Sequence, residues 1–91
     1  MTNLQASVKI LRILDDNAGN EDFDFDEISA EAIGISDTKW EQILISLQES
    51  GYIKGLTVVK LLGEKFSHIR GGVFPNITLE GMTFLEESRE A

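Results

Sequence analysis

Carboxylates dominate the ionisable side chains of this sequence, and their neighbours decide what chemistry they can do. General acid–base catalysis needs a carboxylate or histidine poised against a partner that tunes its proton affinity. The 91 residues hold 16 Asp and Glu, but one histidine, His68, and no cysteine. No carboxylate sits beside the histidine, a glycine-rich phosphate loop or a Gly-x-Ser-x-Gly elbow. Gly71-Gly72 reads as a turn, and Gly63-Glu64-Lys65 as another. The absence of thiols excludes a disulfide framework and a thiolate zinc site. The expectation is a non-enzyme with no catalytic residue, no cofactor and no small-molecule substrate.

One stretch invites a metal reading. Asp15, Asn17 and Asp26 fall at the first, third and twelfth positions of an EF-hand-like loop. The fifth position is Gly19, which offers no side-chain oxygen, and the sixth is Asn20 where the sharp turn needs glycine. Asp26 is also too short for the bidentate role of glutamate. An acidic turn that caps helices fits better, and no metal is expected.

The remaining chemistry is electrostatic. The formal net charge is −8, which repels phosphate backbones and anionic lipid at long range. The charge is also polarised. Residues 15–37 carry nine acidic side chains and no basic one, whereas residues 54–70 carry Lys54, Lys60, Lys65 and Arg70 against Glu64 alone.

The elements that position these groups follow from periodicity. Leu4, Val8 and Leu11, with Ile10, Ile13 and Leu14, predict a first helix, capped by Thr2 or Asn3 and stopped by Asn17-Ala18-Gly19-Asn20. The alternation Asp22-Phe23-Asp24-Phe25-Asp26 predicts a short half-buried strand. Asp26 then caps a short helix that ends near Ala32, with Gly34 as its stop and Ile28 and Ile33 facing inward. Ser36 or Asp37 caps a third helix, whose Trp40, Ile43, Leu44 and Leu47 form its core stripe and which Gly51 terminates. Residues 52–62 read as extended, Val73-Phe74 as a return strand before Pro75, and Thr78 as the start of a last helix with Leu79, Met82 and Leu85 along one face. The polar residues 86–91 are expected to fray. The order gives an α+β, winged helix-turn-helix layout: a three-helix core, a β-hairpin wing and a C-terminal helix, as one domain over 1–91.

Three stretches carry a resemblance. They are Val8-Lys9-Ile10-Leu11-Arg12-Ile13-Leu14; Ile33-Gly34-Ile35-Ser36 through Trp40 to Leu47-Gln48-Glu49-Ser50-Gly51-Tyr52-Ile53; and Ile77-Thr78-Leu79-Glu80-Gly81-Met82-Thr83-Phe84-Leu85. In this order they resemble the YjcQ-like family of small bacterial and prophage winged-helix proteins. The resemblance implies the fold only; a phage or prophage origin is the accompanying expectation.

In a winged helix the third helix is the nominal reader of the DNA major groove. Here its outer face carries Thr38, Glu41, Gln42, Ile45, Gln48 and Glu49. Gln42 can pair with adenine edges, but Lys39 is the helix's single phosphate contact and Glu41 and Glu49 oppose it. The wing is the better nucleic-acid candidate: Lys54, Lys60, Lys65, His68 and Arg70 can touch backbone or minor groove, or act as a solvated, edge-protecting surface. That basic arm can equally meet the acidic 15–37 segment of another copy. Ile45 and Phe84 lie off their helices' main stripes, which marks them as contact-surface candidates, a wider core being the other explanation. A partner protein or self-association is therefore favoured, nucleic acid comes second, and mimicry of DNA by the acidic surface comes third. The N-terminus lacks a secretory pattern and no apolar run nears the roughly 20 residues of a membrane span. A cytoplasmic protein without a membrane partner is expected.

Overall fold

The computed structural model describes residues 2–90, with side chains described for these except residues 71–74, 89 and 90. Four helices and one hairpin follow in the order α1 (Asn3–Asp16), a 3-10 turn (Phe25–Ile28), α2 (Ala30–Ile33), α3 (Asp37–Glu49), β1 (Ile53–Val59), β2 (His68–Ile77) and α4 (Leu79–Glu90). The class is α+β, and the arrangement is that of a winged helix with an added C-terminal helix.

Local chemistry explains most boundaries. Thr2 caps α1 in a reciprocal capping box with Gln5. Ser36 accepts from the Lys39 amide to start α3. Gly34 and Gly51 end α2 and α3 with φ of 94° and 83°, a left-handed backbone that disfavours any residue with a Cβ. Thr78 opens α4 by accepting from the Gly81 amide, and its hydroxyl donates back to the Gly51 carbonyl. That second bond ties the end of α3 to the start of α4.

The core joins all four helices and the base of the hairpin. Ile10, Leu11 and Leu14 of α1 pack with Ile28, Ile33, Ile43, Leu44, Leu47, Ile53, Ile77 and Leu85, all buried. Each such side chain contributes about 1.5–3 kcal/mol on full burial. Trp40 anchors the second layer: its indole N–H donates to the Ile28 carbonyl at 2.6 Å, and Phe25 meets its ring edge-on at 6.4 Å between centroids.

Several expectations need correction. The acidic–aromatic alternation at 22–26 forms a turn and a single 3-10 helix, not a strand. The sheet has two strands, β1 and β2, this segment pairs with neither, and the Asp24 carboxylate instead accepts from the Asp26 amide at 2.9 Å. Phe23 and Phe25 still pack on the core. The cap of α2 is Ser29, not Asp26. Gly71 and Gly72 lie within β2, where Gly72 pairs with Leu56; the turn falls earlier, with Gly63 at φ 90°. Leu61 and Leu62 belong to that turn and are exposed. Leu79 is exposed too, because α4 buries the face centred on Gly81 and Leu85 rather than one through Leu79. Residue 91, predicted to fray, lies outside the described residues, and α4 continues through residue 90.

Candidate functional site

The outer face of α3 is where a winged helix would read DNA, and here the hairpin lies over it. Glu41 accepts the Ile69 amide of β2 at 3.2 Å, and its other oxygen lies 2.8 Å from His68 Nδ1. A carboxylate only accepts, so Nδ1 carries the proton in that bond. At the next position, the Gln42 amide donates to the Ser67 carbonyl at 3.3 Å. Two turns from Glu41, Gln48 makes two bonds to the Leu56 backbone. Ile45 shares this face by helical spacing and is only 4% exposed.

The proposed reading residues therefore part company. Gln42 spends its donor inside the molecule. His68 is held between two carboxylates, with Glu64 Oε2 at 3.2 Å from Nε2 on the side away from Glu41. Ile45, a candidate contact residue, is part of the core, and the wider-core explanation is the right one for it. The polar character of Glu41, Gln42 and Gln48 made this face look solvated in the sequence, and Ile45 among them was the one sign that something covers it.

Lys54, Lys60, Lys65 and Arg70 remain exposed on the hairpin, and among the described residues none of them forms an ion pair. The turn between the strands adds Leu61, Leu62 and Phe66, all exposed. Lys39 points elsewhere. It lines a groove of about 340 Å³ with Leu4 of α1, Ile43 and Ser46 of α3, Tyr52 and Phe84.

Phe84 is half-buried and stacks on Tyr52, with ring centroids 4.7 Å apart and planes 21° from parallel. The same two rings floor a second groove of similar volume, walled by Leu79, Glu80, Thr83 and Glu87. The two grooves thus share the Tyr52–Phe84 pair. Leu4 and Leu79 stand at its two sides, 59% and 73% exposed. Sequence reasoning flagged Phe84 but missed Leu4 and Leu79, since both were assigned to buried stripes.

In the 15–26 segment the asparagines bond within the chain. The Asn17 amide donates to the Ile13 carbonyl at the end of α1 and its oxygen accepts from Asn20. Among the described residues no three His, Cys, Asp or Glu side chains converge as metal ligands. Nor is any helix among them long and apolar enough to cross a membrane.

Comparison with curated proteins and with solved structures gives no match. The model of the family described as YjcQ protein matches residues 8–90, nearly the whole chain, and the chain belongs to that family.

Proposed function

We propose that this protein is a non-catalytic interaction module of phage or prophage origin that binds protein, through the apolar face where α1, α3 and α4 meet. The observation that carries this reading is the closure of the α3 outer face. Glu41, Gln42 and Gln48 are committed to the hairpin, so the helix offers few free groups to base edges. The face around Tyr52 and Phe84 has the opposite character, with large apolar side chains left in water and one cation, Lys39, nearby. Contiguous exposed apolar surface rimmed by polar groups is the mark of a protein contact.

The test compares wild type with a Leu4→Lys/Leu79→Lys variant, both immobilised and exposed to lysate of the protein's own cells. Exposed substitutions of this kind cost within about 0.5 kcal/mol, so the fold is retained. Wild type should hold a discrete protein other than this chain that the variant releases. Identical retention by the two would remove the reading.

A second reading, DNA binding through the wing, draws support from the four exposed hairpin cations, none of them in an ion pair among the described residues, and from the exposed Leu62 at its turn. Cations beside an apolar wedge are how minor-groove proteins grip a duplex.

A further inference from the structure

The paired grooves on either side of Tyr52 and Phe84 are complementary to each other. One half presents exposed Leu4 beside Lys39. The other presents exposed Leu79 beside Glu80 and Glu87. Each half holds one leucine knob and one sign of charge, and the aromatic stack lies between them.

We propose that this face docks a second copy of the chain across a two-fold axis near the Tyr52–Phe84 stack. Such an axis lays the Leu79 half of one copy on the Leu4 half of the other, and the reverse contact follows by symmetry. Both leucines then leave water, and each Lys39 meets the partner's acidic pair. The interface closes after two copies, since a patch that is complementary to itself leaves no unmatched surface to extend a chain.

Charge admits a second copy at this face. With net charge −8, two copies repel along most approaches, and most strongly where residues 15–37 would face each other. The groove rim sets Lys39 against Glu80 and Glu87, so it is close to neutral and its residual charges oppose in the two-fold arrangement. This inference rests on the interaction reading and narrows it to one occupant.

Sedimentation equilibrium over about 1 µM to 1 mM provides the readout. Wild type should shift from monomer to dimer and go no further. Lys39→Glu alone, and Glu80→Lys/Glu87→Lys alone, should each weaken the dimer at least about tenfold, because each homodimer then faces like charge twice. Mixing the two variants should restore it, since in the mixed dimer both contacts pair opposite charges. All three sites are exposed, and far-UV circular dichroism checks the fold; Lys39→Glu mixed with Glu87→Lys alone repeats the test should the double variant unfold. A strictly monomeric wild type overturns the proposal, as does a mixture no tighter than its components. Neither result touches the lysate comparison, so the two-fold contact can fail while the broader interaction reading stands.

Discussion

Gln48 of α3 binds the backbone of Leu56 in β1 with both ends of its side-chain amide. The Leu56 N–H donates to Oε1 at 2.8 Å, and Nε2 donates to the Leu56 carbonyl at 3.0 Å. The amide thus imitates a neighbouring strand at a point where the ladder is irregular. The register between β1 and β2 shifts on both sides of Leu56, and Gly55 before it has φ of 106°. The bulges turn the strand's backbone toward the helix, and Gln48 satisfies it. The hairpin is therefore fastened to α3 instead of standing free as a wing.

Replacing Gln48 should show what this pairing contributes. Gln48→Met keeps the side-chain volume and removes both bonds, leaving a half-buried amide and carbonyl to whatever water reaches them. The expected loss is about 1–3 kcal/mol. Urea denaturation followed by the fluorescence of Trp40, the single tryptophan, measures it. A midpoint equal to wild type would mean that water replaces the pairing without cost.

A second fastening acts nearer the turn. The Ile69 amide finds its acceptor in Glu41, so its protection from hydrogen exchange depends on that carboxylate. Glu41→Ala should expose it and raise its exchange rate at least about tenfold, while leaving core amides unchanged. Glu41→Gln, which still offers an acceptor oxygen, should preserve most of the protection. The ion pair with His68 is partly solvated, so its loss alone is worth about 0–1 kcal/mol. If Ile69 exchanges equally fast in both variants, charge and not the amide bond holds the strand.

Gly81 puts helix propensity and packing in direct conflict. Alanine is better than glycine by up to about 1 kcal/mol in a helix interior, and Gly81 stands in the first turn of α4. A Cβ at Gly81, however, would run into the Tyr52 carbonyl oxygen and come within 2.8 Å of Ile77 Cγ1. The carbonyl belongs to the backbone, which also accepts the Thr78 amide at 3.0 Å, and cannot swing aside. Overpacking of this kind costs about 1–3 kcal/mol or more, so packing wins. Gly81→Ala should lower the Tm, by about 4–8 °C for each net kcal/mol lost in a domain of this size. A raised Tm would show that α4 shifts freely on the Tyr52 backbone.

These features mark the boundary of what the sequence discloses. The α3 stripe, the Gly34 and Gly51 stops and the Thr78 start were legible because each is set by residues within a turn of one another. The closure of α3 was not. Whether Gln42 or Gln48 bonds water or a carbonyl depends on chain 25 and 8 residues away, and a polar residue on an outer helix face looks the same in either case. Phe23 and Phe25 failed differently: their period of two was real and both rings do meet the core, but the backbone there closes local turn bonds, as between the Asp26 amide and the Asp24 carboxylate, instead of pairing with a strand. Leu4 and Leu79 sit in the first turns of their helices, where the apolar stripe has already run past the core.

DNA binding offers the sharpest division between the two functional readings. With Gln42 and His68 engaged inside the fold, the groups left on the hairpin are Lys54, Lys60, Lys65 and Arg70. Four neutralised phosphates give a salt slope of about −3.6, at roughly 0.9 per phosphate. That is a weak grip for a chain of net charge −8, whose long-range field opposes the approach. Fluorescence anisotropy with mixed duplex DNA at about 50 mM salt, where non-specific affinity is high, should show no saturable binding at micromolar protein. A binding curve of that slope, lost when the four cations are replaced by alanine, would reverse the order of the readings. Gln42→Ala is the informative companion, because major-groove reading by α3 predicts that it abolishes base preference. Gln42 instead spends its amide on the Ser67 carbonyl, so the substitution should loosen the hairpin and leave any residual DNA affinity where it was.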